Sequence, residues 1–177
     1  PIREFAENQY IFMATASGTV KRVTLEQFSN IRANGLRAIE LSDDDTLIGV
    51  AITDGEQQIM LFSNEGKAIR FAEGDVRAMG RTAKGVRGMR VNFAGSTLDE
   101  DDADLASEDA DDADDDSTAN SRIVSLVVVP ETGEVLCACA NGYGKRTAVG
   151  EFPTKKRGGK GLIAIKTSER NGELVGA

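Results

Sequence analysis

The sequence has no histidine and no tryptophan, and only two of its 177 residues are cysteine. Without histidine, neither a Ser-His-Asp nor a Cys-His catalytic group can be assembled. Cys137 and Cys139 alternate with alanines, so both are predicted to point to one face of a strand, where a disulfide between them is geometrically poor. They also lack the further ligands that a zinc site needs. We therefore expect two buried, reduced thiols, as in a cytoplasmic protein.

Long apolar runs are missing as well. One of the longest, IVSLVVV at 123–129, is too short to cross a bilayer. The first nine residues do not have the charged-then-apolar layout of a signal peptide, and we expect both ends to be cuts within a longer chain. The sequence thus predicts a cytoplasmic protein with no membrane partner.

Acidic residues are concentrated in one segment, which runs from Thr97 to Asn120 and holds twelve acidic residues and no basic one. Without it, the chain has 21 basic against 17 acidic residues, and a net charge of -8 becomes +4. Like charges at this density repel one another, so the segment is predicted to be a disordered insertion. Its role is either passive solubilisation or competition with another polyanion for the basic surface.

Basic residues cluster in two places outside this insertion. Five cations against one acid lie between Asp75 and Val91, and seven against one lie between Tyr143 and Lys166. A nucleotide-binding P-loop is not favoured, because Thr154 and Gly161 stand where that motif needs a glycine and a hydroxyl residue. Glycine leaves room for close approach and cations attract phosphates, so the pattern predicts a larger polyanion as the ligand.

An internal repeat organises the chain. Three segments align on Gly18, Gly66 and Gly142, and each of these glycines is followed four residues later by an arginine. The spacing is close to 50 residues once the insertion is discounted, which is typical of a propeller-like array. We divide the sequence into blade repeats at 1–46, 47–96 and 122–173, an acidic disordered insertion at 97–121, and the truncated start of a next blade at 174–177.

Each repeat is predicted to contain four short antiparallel strands, which makes the fold all-β. Apolar runs flank an Asp-Gly turn at 47–62 and a Thr-Gly turn at 123–139, and both patterns predict β-hairpins. The repeated glycines mark a second turn and a further strand. Glycine-bearing runs at 34–41, 84–91 and 160–167 are predicted to end the repeats as strands. Helical periodicity is limited to one or two turns within 24–32.

Three stretches resemble a known family. They are IFMATASGTVKR at 11–22, VRAMGRTAKGVRGMRV at 76–91 and NGYGKRTAVGEFPTKKRGGKGLIAIKTSERNG at 141–172. Together they closely resemble the C-terminal domain of the bacterial DNA gyrase A protein. The resemblance implies a β-pinwheel, a propeller-like ring of about six four-stranded blades that exchange strands with their neighbours, of which this chain would hold a part.

The resemblance also implies a function and partners. The basic rim would bend and wrap double-stranded DNA so that the parent type II topoisomerase, an isomerase, can introduce negative supercoils. The gyrase B subunit would be the partner in an A2B2 complex, and ATP and Mg2+ would act through gyrase B, with no cofactor in this fragment. The strand-cleaving tyrosine of the family lies in a part of the enzyme that does not match this chain, so we expect no catalytic residue and no metal site here.

One departure concerns the family's first-blade box, QRRGGKG. KKRGGKG at 155–161 matches five of its seven positions but lies in a later blade. It is either a degenerate relative of the box with a shared role in holding DNA, or the ancestral loop sequence of every blade.

Two further classes stay open beside gyrase: the equivalent domain of topoisomerase IV, and a propeller-like module that docks an acidic protein partner. Aromatic residues make up 5% of the chain, which argues against stacking on bases and favours duplex binding with little sequence preference. The residues predicted to contact DNA are Lys21, Arg22, Arg70, Arg77, Arg81, Lys84, Arg87, Arg90, Lys145, Arg146, Lys155, Lys156, Arg157 and Lys160.

Overall fold

The computed structural model describes residues 7–94 and 120–177. In this part of the chain there are eleven β-strands and three short 3-10 turns, and no α-helix. The 3-10 turns are Leu25–Phe28, Glu73–Asp75 and Val149–Glu151. The strands are β1 (Tyr10–Thr15), β2 (Thr19–Thr24), β3 (Leu47–Thr53), β4 (Gln58–Ser63), β5 (Lys67–Ala72), β6 (Val86–Arg87), β7 (Ile123–Val129), β8 (Glu134–Cys139), β9 (Gly144–Ala148), β10 (Leu162–Ile163) and β11 (Leu174–Gly176).

The strands form three antiparallel sheets. The first sheet has the order β3-β1-β2-β6, the second β10-β5-β4-β7 and the third β11-β8-β9. The predicted all-β class and the four-stranded antiparallel unit are therefore confirmed for the first two sheets. The segment predicted to be helical contains a single 3-10 turn. No helix in the described ranges is long and apolar enough to cross a membrane.

The turns at the repeated glycines are hairpins, as predicted. β1 pairs with β2, β4 with β5, and β8 with β9. Each turn is closed by the amide of the glycine, which donates to the carbonyl three residues earlier, at 3.1 Å for Gly18, 2.9 Å for Gly66 and 3.0 Å for Gly142. The three hairpins are the common element around which the sheets are built.

The two other predicted hairpins are wrong. β3 pairs with β1 in the first sheet, whereas β4, which follows it, belongs to the second sheet. In the same way β7 pairs with β4, whereas β8 belongs to the third sheet. A turn between two apolar runs fits a hairpin and a crossing between sheets equally well, because the local sequence does not fix the pairing partner.

The glycine-bearing runs that were predicted to end the repeats contribute little strand. Residues 34–41 form none, and the other two supply only the two-residue strands β6 and β10. Each of these short strands returns to the sheet before its own hairpin, where β6 pairs with β2 and β10 with β5. Because β6 and β10 are so short, most of the residues in these two runs form loops at the edge of a sheet.

Consequently, each sheet combines a hairpin from one repeat with strands from the next. The third sheet follows this rule, because β11, at the expected start of a next blade, pairs with β8. The repeat boundaries at 1–46, 47–96, 122–173 and 174–177 stay a division of the sequence, and they do not coincide with the sheets. The acidic insertion at 97–121 lies outside the described residues except for Asn120 and Ser121.

Two hydrophobic layers lie between the sheets. Side chains from β1 and β2 meet Ile59 and Leu61 of β4 between the first and second sheets. Met60 and Phe62, on the other face of β4, meet the third sheet. Because β4 is buried on both faces, its sequence is a continuous apolar run without alternation. Cys137 and Cys139 are buried free thiols in the second layer, as predicted.

Candidate nucleic-acid interface

Two basic loops occupy the outer edges of the first and second sheets. The first basic loop, residues 77–91, follows β5, and the second basic loop, residues 153–166, follows β9. Each carries five cations and no acidic residue. The Met79 amide donates to the Arg22 carbonyl at 2.8 Å, and the Lys155 amide donates to the Arg70 carbonyl at 2.9 Å. Backbone bonds thus attach both loops to their strands.

The two basic loops lie side by side. The Gly158 amide donates to the Gly88 carbonyl at 2.7 Å, and the Arg90 amide donates to the Gly159 carbonyl at 2.9 Å. The Arg157 guanidinium adds two bonds across the junction, from Nη1 to the Arg87 carbonyl at 2.8 Å and from Nε to the Asp75 carbonyl at 3.1 Å. The two cation clusters found in the sequence therefore adjoin each other where residues 87–90 meet residues 157–159.

The predicted cations differ in how far they reach into solvent. In the basic loops Arg77, Lys84, Arg90, Lys156 and Lys160 are exposed, and Arg81, Arg87, Lys155 and Arg157 are half-buried. Arg81 joins its loop to the preceding segment much as Arg157 does, since its Nη1 donates to the Arg37 carbonyl at 3.2 Å. Lys145 and Arg146 are exposed on β9. The exposed members of this set are the ones that can meet a phosphate.

Lys21 cannot be one of them, and its prediction as a DNA contact is wrong. The side chain is fully buried, and Nζ donates to the carbonyls of Ala38, Arg81 and Ala83 at 2.9, 2.5 and 2.8 Å. Burial, reinforced by the nearby charge of Arg81, lowers the pKa of Lys21 to about 8, and Glu40 opposes this shift. In the sequence Lys21 looks like any other cation before an arginine, because its burial arises from segments that are distant in the chain.

The repeated arginines also face protein. Arg22 is 12% exposed and its Nη1 lies 3.7 Å from Oε1 of the buried Glu73, while its guanidinium lies 4.5 Å from the centre of the Tyr10 ring. Arg70 Nη1 donates to the carbonyls of Val149 and Phe152 at 3.2 and 3.4 Å. Both arginines therefore brace one sheet against the 3-10 turn of the next, and their prediction as phosphate contacts is corrected accordingly.

Arg146 is the third of the arginines that follow the repeated glycines by four residues, and it has a different environment from Arg22 and Arg70. It is 70% exposed, and its Nε lies 3.2 Å from Oε2 of Glu134 on the paired strand. An exposed ion pair of this kind contributes little to stability and is readily exchanged. Arg146 thus remains available for an anion, unlike Arg22 and Arg70.

Sequence reasoning missed Glu73. Its carboxylate is fully buried, accepts bonds from the amides of Gly55 and Gln57 at 3.0 and 3.3 Å, and also accepts the Thr53 hydroxyl. Leu25 and Val149 occupy the equivalent position in the other repeats. When the three repeats are aligned, Glu73 is the acidic residue at a position that is apolar in the other two, and this difference could have identified Glu73 from the sequence.

The glycines beside the cations have a structural cause. A Cβ added to Gly85 would lie 2.6 Å from the Val20 carbonyl oxygen, and one added to Gly161 would lie 2.5 Å from that of Ala68. Both distances are too short for any larger residue. These glycines let the basic loops dock onto β2 and β5, so they are explained without the close approach of a polyanion.

No other chemistry competes with this surface in the residues that the structure describes. They contain no group of three or more metal-ligating side chains. Burial raises the pKa of the Cys137 thiol, which keeps it protonated and unreactive. The rings of Tyr10 and Tyr143 each lie against an arginine side chain, that of Arg22 and Arg170 respectively.

Comparison with known proteins agrees with this architecture. The family model described as the DNA gyrase C-terminal domain, beta-propeller, matches residues 9–54, 57–104 and 133–177. The gyrase A protein of Haemophilus influenzae is 49% identical over 182 aligned residues, which cover 100% of this chain and 20% of that protein. The gyrase A protein of Escherichia coli K12 is 48% identical over 177 residues and is covered to 17%. The chain thus spans about a fifth of the length of these curated relatives.

Solved structures give the same fold. A structure of the DNA gyrase A C-terminal domain matches with a TM-score of 0.73 at 24% identity, covering 98% of this chain and 49% of that one. The C-terminal domain of DNA topoisomerase IV matches with a TM-score of 0.76 at 25% identity, covering 98% and 46%. These two solved structures do not separate the families, whereas the identity of 48–49% to the curated gyrase A proteins favours gyrase A over topoisomerase IV. The β-propeller family model covers all three repeats, and the chain belongs to the DNA gyrase C-terminal domain family.

Proposed function

We propose that this chain binds duplex DNA along its two basic loops and bends it, as a segment of a gyrase A protein whose parent enzyme introduces negative supercoils. The observation that carries the proposal is the direct junction between the loops, where backbone bonds and Arg157 hold two segments of five cations each side by side. A duplex presents phosphates as a continuous track of negative charge, so adjoining basic segments are its natural complement.

The contacts proposed on this surface are the exposed cations of the basic loops, with Lys145 and Arg146 beside them. Bending a short duplex by tens of degrees costs on the order of 1–6 kcal/mol, which several phosphate contacts together can offset. Flexible lysine and arginine side chains contact the backbone without reading bases, so the binding has little sequence preference.

The rest of the proposal concerns the parent protein. Gyrase B is the partner in an A2B2 complex, and ATP and Mg2+ act through it, so this segment uses no cofactor of its own. The curated relatives are bacterial gyrase A proteins, which supports a cytoplasmic location where the chromosome is accessible. Cleavage and resealing of DNA belong to other parts of that enzyme.

The test is a salt series of binding to a fluorescent duplex of several tens of base pairs. We compare the unsubstituted chain with a triple variant in which Lys84, Lys156 and Lys160 are replaced by glutamine. If each lysine neutralises one phosphate, the slope of log K against log salt becomes less steep by about 2.7 in the variant. Affinity at a fixed low salt concentration falls in parallel.

A matched control removes three exposed or half-exposed cations outside the basic loops: Arg32, Arg122 and Arg170, each to glutamine. It has the same net charge as the loop variant, and we expect its salt slope to stay close to that of the unsubstituted chain. Equal losses in both variants would mean that net charge alone attracts DNA and would contradict an interface on the loops. Absence of binding by every variant would favour an acidic protein as the partner.

The acidic insertion is tested in the same series. Deleting residues 97–120 tightens DNA binding if the insertion competes with DNA for the basic loops. An unchanged affinity identifies it as a passive, solubilising segment.

A further inference from the structure

The Lys21 ammonium lies at a junction between two segments that are far apart in the sequence. It bonds the Ala38 carbonyl, in the segment before β3, and the carbonyls of Arg81 and Ala83 in the first basic loop. We propose that Lys21 is a positioning residue, which holds the first basic loop in place so that its exposed cations meet DNA together. This inference rests on the proposed DNA binding by that loop.

All three bonds are made by the charged form of the lysine. An ammonium has three N–H donors, and three carbonyl oxygens lie within 2.9 Å of Nζ. A neutral amine has only two donors and would turn its lone pair toward the third oxygen. All three acceptors are part-buried backbone carbonyls, and loss of the ammonium removes the charged donor that they share.

Two further bonds close the same junction without Lys21. The Arg81 guanidinium donates to the Arg37 carbonyl at 3.2 Å, and the Glu40 amide lies 3.5 Å from the Ala83 carbonyl. The first is partly exposed and the second is long, so both are weak. The buried ammonium is therefore the main connection between residues 81–83 of the first basic loop and the segment that carries Ala38, whereas backbone bonds to β2 and to the second basic loop hold the rest of the loop.

At the junction between the two basic loops, a backbone amide takes the place that Lys21 has at the first junction. There the carbonyl of Gly88, which is equivalent to Ala38 in the repeat, is bonded by the Gly158 amide at 2.7 Å. The residue equivalent to Lys21 is Ile69, which is 3% exposed and belongs to the hydrophobic layer. One junction is thus held by a backbone amide and the other by a lysine side chain.

Lys145 occupies the same position in the third hairpin and provides the natural control. It is exposed, and its Nζ reaches only the Ala164 carbonyl, at 3.4 Å, among the bonds that the structure shows for it. Ala164 is equivalent to Ala38. The same substitution at the two lysines therefore separates the loss of a buried junction from the loss of a surface charge.

The test begins without DNA. Amide hydrogen exchange across residues 77–84 is measured for the unsubstituted chain, Lys21→Met and Lys145→Met. We expect Lys21→Met to speed exchange in this segment about tenfold or more, since bonds to a charged donor are lost, while exchange in β4 and β5 is unchanged. Lys145→Met leaves residues 77–84 unaffected. Unchanged exchange in Lys21→Met would overturn the proposal.

DNA affinity then shows whether loop order matters for binding. Lys21→Met lowers the affinity for DNA about tenfold in the unsubstituted background. Without the charge-assisted bonds of Lys21, the first basic loop is less ordered, and its cations no longer contact DNA together. Lys21→Met has little further effect once Arg77, Lys84 and Arg90 are replaced by glutamine, because no exposed cation of the first basic loop remains to be positioned. An equal loss in both backgrounds would show general destabilisation and would also overturn it.

Two safeguards keep the outcome decisive. If Lys21→Met does not fold, Lys21→Gln, which keeps two N–H donors, takes its place and is expected to give intermediate exchange rates. If the unsubstituted chain binds no DNA, the proposed function fails by itself, and exchange across residues 77–84 alone supports or overturns the positioning of the loop by Lys21.

Discussion

Glu73 and Arg22 show how a charged pair can serve the fold of an all-β chain. The Glu73 carboxylate is completely buried and collects two amides, a hydroxyl and the Arg22 guanidinium. These donors come from the crossing between β3 and β4 and from β2. One carboxylate therefore fixes the point where the chain passes from the first sheet to the second.

We predict that Glu73→Ala lowers the free energy of unfolding by about 3 kcal/mol, because it leaves Arg22 and the two amides without their acceptor. Glu131→Ala, at an exposed acidic residue, is the control and is expected to change it by less than about 0.5 kcal/mol. Urea denaturation followed by circular dichroism measures both. Similar values for the two variants would contradict a structural role for the buried carboxylate.

Lys21 gives a prediction about pH. Its pKa is about 8 in the folded chain and near the ordinary 10.5 when unfolded, so between these values the unfolded chain binds the extra proton. The free energy of unfolding therefore rises with pH in this window, by at most about 3 kcal/mol from this group. Below pH 8 the cost of burying the charge is fully present.

The measurement compares the unsubstituted chain with Lys21→Met, so that other titrating groups cancel. Denaturation at pH 7.5 and at pH 10 should show the unsubstituted chain gaining stability relative to the variant at the higher pH. A pH-independent difference between the two would show that the ordinary pKa of lysine is retained on folding.

At the scale of elements, the three glycine hairpins have the same shape but different neighbours. Gly66 and Gly142 both have a positive φ, 80° and 83°. A Cβ added to Gly66 would lie 2.1 Å from the Ile165 carbonyl oxygen in the segment that follows β10, whereas one added to Gly142 meets nothing within 4 Å. Glycine is thus required at residue 142 by the backbone conformation alone, and at residue 66 by both the backbone conformation and the packing.

We predict that Gly142→Ala costs about 1–2 kcal/mol of stability, from the left-handed backbone alone. Gly66→Ala costs at least about 1 kcal/mol more, because the docked segment must move away. Thermal or urea unfolding of the two variants provides the comparison. Equal costs would show that the segment after β10 yields freely and is not tightly docked on this turn.

At the scale of the whole molecule, the described residues form three packed sheets, and exposed apolar side chains lie at both ends of this stack. Leu136 of the third sheet is 62% exposed, although the equivalent Phe12 and Met60 are fully buried between sheets. Val50 and Ile52 of the first sheet are 58% and 53% exposed at the opposite end. Met13 and Val23 on the outer face of the first sheet are already covered by Ile39, so Val50 and Ile52 are the part of that face that a second copy could cover.

We therefore predict that the 177-residue chain self-associates, with the third sheet of one copy on the first sheet of another. Leu136→Ser should weaken this association about tenfold or more, since it removes a large apolar contact, and should leave stability unchanged. Ile163→Ser, at a residue 63% exposed on β10, is the matched control. Sedimentation velocity over a concentration series measures both, and association that is unaffected by Leu136→Ser would exclude this face.

Several features could be predicted from local sequence. The repeat, the all-β class and the hairpins at the repeated glycines depend on residues close together in the chain, where turn chemistry and apolar runs have direct effects. The two cation clusters were also evident, and their equivalent positions in the repeat predicted that they would lie on corresponding loops. Burial of both cysteines followed from their alternation with alanine.

Other features depended on which distant segments come together. β3 and β4 flank a turn that looks like a hairpin, yet they pair in different sheets because the apolar face of each finds a different neighbour. Lys21, Arg22 and Arg70 are cations of the kind that binds phosphate. Tertiary contacts, however, bury Lys21 and direct Arg22 and Arg70 toward neighbouring protein groups. Residues close together in the chain are enough to establish the repeat, the strands and the excess of positive charge outside the acidic segment. Which cations hold the sheets together and which stay exposed to solvent depends on the tertiary structure, because distant segments must assemble before a side chain is buried.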